Sequence, residues 1–361
     1  MSTRIVPDMS SSPALARYRA GPAPFALVTG ATAGMGEAWA HALAAHGFNL
    51  LLHGRSPAKL AAVRDAVLAS FPTRDVRLCV LDACALPPDA RELEGGVAPL
   101  NLRIVVNNVG GSGGHFESVL EMPSQQLVDE ITCNAVFPTL VAKVTLPKLR
   151  TGGPGLMLNI SSIGGIWPSP YISVYSASKA FNRLFSMSLH GEELAEGTDV
   201  DVVCLAPGAV VNGRAMQGDG SAMTPLSSTW VVNAIAAISP RPWRQRPKPF
   251  IVPHPAHRYS VAFLRLLPNT LANSIFRSQM VALRDESRGV GKASRMSGGG
   301  NKSRTPTALG PKATQAEQQQ VSTAAPAPAL QNGPPAGAAG TQDTAAAPVQ
   351  PRAATNEVMA G

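Results

Sequence analysis

Apolar residues along this chain fall into two alternating patterns. Short, nearly unbroken apolar runs occupy residues 25–28, 49–52, 76–81, 102–106, 156–160, 200–205 and 250–252. Runs of that length without polar alternation predict strands buried on both faces, the habit of parallel sheets. Between them, apolar residues recur at helical spacing over residues 37–46, 57–69, 124–149 and 225–238, and around residues 175–179. Strands alternating with helices predict an α/β fold: a doubly wound parallel sheet, in a single domain over residues 25–286. The ends break the pattern. Residues 1–24 carry Ser, Pro, Ala and Arg with no period and predict a flexible arm. Residues 287–361 are Ala, Pro, Gly, Gln, Thr and Ser with almost no Leu, Ile, Val or aromatics, too little apolar surface to offset the entropy of ordering. They predict a disordered, low-complexity tail.

Composition changes this picture little. Of 361 residues, 45% are hydrophobic and 15% charged, which suffices for a sizeable core. The net charge of +8 raises the question of nucleic acid, but its placement answers it. Roughly half the excess sits in the tail (Arg288, Lys292, Arg295, Lys302, Arg304, Lys312), and Arg241, Arg244, Arg246 and Lys248 crowd one proline-rich loop. No aromatic–basic interleaving accompanies them in the folded part, so no nucleic-acid partner is expected. Cys79, Cys84, Cys133 and Cys204 lack metal-ligand spacing and read as reduced, buried thiols, with no metal site. Arg265 and Pro268 interrupt the last long apolar stretch, so no bilayer-spanning segment is expected.

The chemistry begins after the first run. Residues 29–36 read TGATAGMG, set between a strand and a helix. In that context a glycine loop predicts dinucleotide binding, which makes the sheet a Rossmann fold. Gly30 permits the tight turn, Gly34 lets backbone approach a pyrophosphate, and Gly36 lets helix and strand pack closely; Thr29 and Met35 complete the loop. After the second strand comes His53-Gly-Arg-Ser56, with Arg55 where an NAD site presents an acid to the ribose. A guanidinium suits a ribose phosphate, so the sequence favours NADPH over NADH; an exposed loop arginine is the plainer alternative. Asp82 closes the third strand, either to accept from the adenine amine or to cap a turn. Asn108 and Gly110 close the fourth, small and amide-bearing residues that let the loop lie under a cofactor.

The fifth strand delivers Ser161 and Ser162 to the edge where open parallel sheets bind ligands. Tyr175 and Lys179 are four residues apart, hence on one helix face, and Ser162 lies thirteen residues before Tyr175. A serine hydroxyl, a tyrosine hydroxyl and an ammonium converging on one point are what a carbonyl needs to accept hydride and then a proton. A free tyrosine has a pKa near ~10, and a cation beside it favours the phenolate. Asn134 is a polar residue amid apolar neighbours and needs partners. Pro207 and Gly208 close the sixth strand, and residues 208–223 beyond them have little pattern, a lid candidate.

Together these segments resemble one family. TGATAGMG, NNVG (107–110), Asn134, Ser162, YSASK (175–179) and APG (206–208) stand in the order and rough spacing of the short-chain dehydrogenases/reductases, over about residues 25–287. Within it, GRSPAKL (54–60), LNISSIGGIWPSP (158–170) and the extension over 259–286 look most similar to the very-long-chain 3-oxoacyl-CoA reductases and related hydroxysteroid dehydrogenases, although Ala33 stands where that group commonly has an acid. The resemblance implies a Tyr175 general acid, a carbonyl-polarising Ser162 and a Lys179 that holds the nicotinamide ribose and lowers the tyrosine's pKa. It implies an Asn134 that anchors a relay water, and NADPH/NADP+ as cofactor, bound by Thr29, Gly30, Gly34, Met35, Gly36, Arg55, Asp82, Asn108, Gly110, Tyr175, Lys179, Pro207 and Gly208. The expected function is reduction of a lipophilic ketone, a 3-oxoacyl-CoA or steroid-like substrate, by a protein of the cytoplasm or the endoplasmic-reticulum surface, with a homodimer left open. The alternatives are a reductase of secondary-metabolite or other small ketones, or a catalytically idle dinucleotide-binding protein. The amphipathic segment 259–283 is expected to line the pocket mouth and touch a membrane surface, or else to be an ordinary packed helix.

Overall fold

A computed structural model describes residues 9–85, 90–114, 116–212, 220–239 and 246–288. Seven parallel strands form one sheet: β1 (Phe25–Val28), β2 (Asn49–Gly54), β3 (Val76–Val80), β4 (Leu102–Asn107), β5 (Gly155–Ile160), β6 (Val200–Leu205) and β7 (Phe250–Ile251). Their order is β3-β2-β1-β4-β5-β6-β7. The chain runs outward one way from β1 and the other way from β4, so their C-terminal ends flank the crevice where such sheets take ligands. Register fixes which residues reach that edge: Val28 lies beside Leu52 and Val106, Asn107 beside Asn159, and Ile160 beside Leu205.

Both sheet faces are covered, as the unbroken apolar runs require. Ala26, Val28, Ile104, Val106, Leu156 and Leu158 face a core built with α1 (Gly34–Ala45), α2 (Pro57–Ser70) and, later in the chain, the helix Ser227–Ile238. Phe25, Leu27, Val105, Met157 and Val202 point the other way. They meet α3 (Arg91–Val97), which is followed in the chain by α4 (Ser124–Ile131), α5 (Phe137–Thr151) and α6 (Ser173–Ala195). With Ser227–Ile238 as α7, the last helices are α8 (Pro255–Leu266) and α9 (Asn269–Ser287), whose Val261, Ala272, Phe276 and Met280 pack with Trp167, Ala206 and Val252 in a third cluster. Among the described residues no helix is long and apolar enough to cross a membrane.

Three expectations need correction. The arm is not loose: from Met9 it packs on the sheet, with Leu15 and Tyr18 fully buried in the first core. Tyr18 donates to Asp201 Oδ2 at 2.7 Å, and Arg17 pairs with Asp199 and, at 3.5 Å, with Asp201. One short turn, Ala16–Tyr18, carries these contacts, too little chain to show a period. The helix expected over 124–149 is two helices joined by a π-turn, Thr132–Val136. Pro138 has no N–H to give the carbonyl four residues back, that of Asn134, and the wider turn absorbs the mismatch. The segment 259–283 is likewise split between α8 and α9 at Leu267 and Pro268, because a residue before proline avoids helical backbone. The tail expected over 287–361 lies, from residue 289, outside the described residues, as do residues 1–8 of the arm, 213–219 of the lid candidate and Arg241 and Arg244.

Candidate active site

The glycine loop is fastened to β4 by side chains. Thr29 Oγ1 accepts from Asn108 N at 2.9 Å and from Val109 N at 3.1 Å. Asn108 Nδ2 donates back to the carbonyls of Thr29 (3.0 Å) and Gly30 (3.3 Å). A Cβ on Gly36 would stand 2.1 Å from the Gly30 carbonyl oxygen, so only glycine lets α1 start this close to β1. α1 opens at Gly34 after the extended Ala33, and no side chain caps its first turn. Its amides, with those of Met35 and Gly36, are therefore open to an anion, as a pyrophosphate cradle requires.

Sequence reading missed a second fastening. His53, inside β2, donates from Nε2 to the Leu81 carbonyl (3.1 Å) and accepts at Nδ1 from Gly30 N (3.4 Å). Burial pushes its pKa down to about 4, which keeps it neutral and able to accept. Arg55 follows at the end of β2 with its side chain exposed, and Asp82 lies exposed after β3, its Oδ1 accepting from Cys84 N at 3.1 Å. Asp82 thus caps a turn, one of the two roles open to it.

At the end of β5 the two serines diverge, as alternate strand residues must. Ser161 Oγ donates to the Lys179 carbonyl at 2.6 Å, while Ser162 Oγ accepts from Gly164 N at 3.0 Å on the side of Tyr175. Lys179 is buried, donates from Nζ to the Ile160 carbonyl at 2.9 Å, and places Nζ 5.8 Å from the Tyr175 ring centre. Burial lowers its pKa to about 8, with Cys133, Cys204 and Glu130 pulling the other way. Burial also raises the Tyr175 phenol; the Ser162 hydroxyl opposes this and Glu130 adds to it. The expected lowering of the phenol by Lys179 does not appear: desolvation dominates, and the group that opposes it is the Ser162 hydroxyl.

Asn134 stands in the π-turn. Its amide pairs with the Gly111 backbone through Nδ2 to the carbonyl (3.0 Å) and Oδ1 from the N–H (2.9 Å). Gly110 has φ +142°, and a Cβ there would lie 2.3 Å from Asn134 Oδ1 and 2.8 Å from Lys179 Nζ. Gly110, Asn134 and Lys179 thus converge on one point. The Asn134 carbonyl left unpartnered by Pro138 accepts from Asn182 Nδ2 at 2.8 Å. Behind it runs a buried polar chain that sequence reading also missed: Ser186 donates to the Asn182 carbonyl (2.6 Å), Asn159 to Ser186 (3.0 Å) and Asn107 to Asn159 (2.9 Å). Its signal was amides at the ends of two apolar strands and an Asn–Ser pair four residues apart on the Tyr175 helix.

The sixth strand closes the site. The Pro207 carbonyl accepts from Ile163 N (2.9 Å) and Gly208 N donates to His257 Nδ1 (3.1 Å). His257 and His254 then donate from Nε2 to the consecutive carbonyls of Met223 (3.0 Å) and Ala222 (2.8 Å), holding the far end of the lid candidate against α8. Its near end returns to the glycine loop, where a Cβ on Gly34 would lie 3.0 Å from the Asn212 carbonyl. Arg246 of the basic loop is engaged by Asp199 (3.0 Å) and Asp201 (3.8 Å), so it is not available to a membrane surface.

The sequence model of the short chain dehydrogenases matches residues 24–219. The very-long-chain 3-oxoacyl-CoA reductase of Emericella nidulans is 33% identical over 180 residues, covering 50% of this chain and 52% of that protein. The one from Eremothecium gossypii is 30% identical over 266 residues, 71% of this chain and 73% of that protein. The chain thus spans from about half to about three quarters of the length of these relatives. Among solved structures, a 7beta-hydroxysteroid dehydrogenase superposes with a TM-score of 0.61 at 19% identity, over 72% of this chain and 98% of that one, a likeness of fold. With the glycine loop, the parallel sheet and the matched segment in agreement, the chain belongs to the short-chain dehydrogenase family of oxidoreductases, which bind a nicotinamide dinucleotide.

Proposed function

We propose that this protein reduces a lipophilic ketone, of the 3-oxoacyl-CoA or steroid-like class, to a secondary alcohol with NADPH. The observation that carries the reading is the meeting of Ser162, Tyr175 and Lys179 at the C-terminal end of β5, beside a glycine loop whose helix start is uncapped. The glycine loop and the first turn of α1 would hold the pyrophosphate, Asn108 and Gly110 would line the nicotinamide side, and Lys179 would hold the ribose. When bound, the cofactor supplies the hydride. Ser162 orients and polarises the carbonyl oxygen, and Tyr175 gives that oxygen its proton: the phenolic O–H breaks as the alcohol O–H forms. A phenol kept protonated by burial suits a donor, and Lys179 stabilises the phenolate that results. Asn134 holds the loop over Lys179 and would anchor the relay water.

Arg55 supports the choice of NADPH, being an exposed cation at the end of β2 where no acid stands to meet a ribose hydroxyl. Substrate class rests on the resemblance to 3-oxoacyl-CoA reductases and on the outer face of α8. There Tyr259, Phe263 and Leu266 are 68%, 59% and 84% exposed, an apolar stripe at i, i+4 and i+7 that suits weak contact with a bilayer surface. A protein of the cytoplasm or of the endoplasmic-reticulum surface fits such contact. The test is a panel of 3-oxoacyl thioesters, steroid ketones and small ketones, followed by loss of NADPH absorbance. Turnover of the long-chain or steroid members well above the small ones is expected; turnover confined to small ketones would overturn the substrate class, and none at all would overturn the activity.

A further inference from the structure

One buried carboxyl beside the site has no part in the chemistry described so far. Glu130 stands in the last turn of α4, four residues before Asn134, on a helix packed against α6 and the π-turn. It is 7% exposed, and neither carboxyl oxygen has a hydrogen-bond partner among the described residues. The titratable groups that share its field are Lys179 and Tyr175 on α6 and Cys133 on the π-turn, the last through Lys179. An unpartnered buried carboxylate is costly, and a neutral side chain would fill the same space more cheaply, so the acid has a reason only if its charge acts on something. Four residues on stands Asn134, which meets Lys179 at Gly110, and α4 packs against the helix that carries Lys179 and Tyr175. The protonation equilibrium fits: burial raises the Glu130 pKa to about 7 against the pull of Lys179, so the group changes charge near neutrality.

We propose that Glu130 is a positioning residue for proton transfer at Tyr175: by changing between carboxylic acid and carboxylate beside Lys179, it sets the pH at which the Tyr175–Lys179 pair gives up its protons. This rests on Tyr175 being the proton donor of the proposed reaction. As a carboxylate, Glu130 favours the ammonium of Lys179 and the protonated phenol of Tyr175. It therefore carries ketone reduction to higher pH than the pair would reach alone.

The experiment compares wild type, Glu130→Gln and Glu130→Asp. In the pH profile of kcat for NADPH-dependent reduction, Glu130→Gln should move the alkaline limb down by about one pH unit or more, the scale of a unit charge acting within roughly 12 Å at an effective dielectric of about 20, with the plateau nearly unchanged. Glu130→Asp should return the limb toward wild type. A second readout needs no cofactor. Because the folded Glu130 holds its proton above the range where the unfolded one loses it, its contribution makes wild-type stability fall as pH rises from about 4.5 to about 7, and the thermal-stability gain of Glu130→Gln should widen over that span. Superimposed profiles overturn the proposal, even if the stability gap widens, and so does an equal loss of kcat at every pH, the mark of a structural role. If wild type reduces no ketone, the proposed activity fails separately. Glu130 is then judged by absorbance titration of the cofactor-free protein against a Tyr175→Phe blank: a Tyr175 phenolate that forms at lower pH in Glu130→Gln upholds the coupling, and an unmoved one overturns it.

Discussion

The two walls of the site are built differently. On the cofactor side, among the described residues, side chains tie the loops to their neighbours: Thr29 and Asn108 across β1 and β4, His53 between β2 and the end of β3, Asn134 and Asn182 from the π-turn to Gly111 and α6. On the substrate side, after β6, two imidazoles grip consecutive carbonyls of one loop, and α8 turns an apolar stripe outward. Burying a polar side chain is tolerable only when it is hydrogen-bonded, so the first wall has one geometry; on the second the same constraint holds the two buried imidazoles, while the exposed outer face of α8 can vary at little cost. That contrast suits the proposed ketone reduction: the rigid wall would hold the chemistry and leave the choice of substrate to the other.

The largest effect is expected at Tyr175. Tyr175→Phe keeps the ring in place and removes the proton, so kcat should fall by ~10²–10⁴ while cofactor affinity, followed by nicotinamide fluorescence, stays close to wild type. A kcat above about a tenth of wild type would deny Tyr175 its role as the acid. Arg55→Ala should weaken NADPH about tenfold or more, the loss of charge-assisted bonds worth roughly 1.5–3 kcal/mol, and leave NADH almost untouched. Equal losses for both cofactors would mean that Arg55 meets something other than the ribose phosphate.

Within the rigid wall, Asn182→Ala strips the Asn134 carbonyl of its partner and breaks the buried chain. Denaturant unfolding should show a loss of about 1–3 kcal/mol; a stability within error of wild type would show the chain to be dispensable. The looser wall should respond to pH instead. The folded His257 pKa lies below its ordinary value because of burial, so its contribution is present above about pH 6.5 and is lost as pH falls toward the folded value. Protonation also puts an N–H where Gly208 donates. The stability difference between wild type and His257→Gln should therefore shrink on acidification, and a difference constant with pH would remove the imidazoles as the clasp. The smallest effect is expected on the outer face of α8: Phe263→Ser with Leu266→Ser should leave folding and small-ketone turnover unchanged and reduce only co-sedimentation with anionic liposomes. Wild type that stays in the supernatant at low salt would dismiss the membrane contact.

What sequence alone determined was whatever depends on local pattern. Nearly unbroken apolar runs place all seven strands within one or two residues, because the five inner strands, buried on both faces, have few polar positions to blur their limits. The glycine loop is legible because backbone contact leaves no alternative to glycine at Gly36, and Tyr175 and Lys179 because helical spacing puts them on one face. Tertiary structure decided the rest. The π-turn depends on Pro138, which leaves the Asn134 carbonyl without its helical donor, and on Asn182, which α6 brings to that carbonyl by packing against the π-turn. The arm packs where Asp201, fully buried in the core-facing strand β6, takes its partners, which among the described residues are Arg17, Tyr18 and Arg246. His53 and Glu130 read as an ordinary strand histidine and helix glutamate in one dimension, and acquire their chemistry from desolvation. Burial and the partners it brings are sums over residues far apart in the chain, and no local pattern contains them.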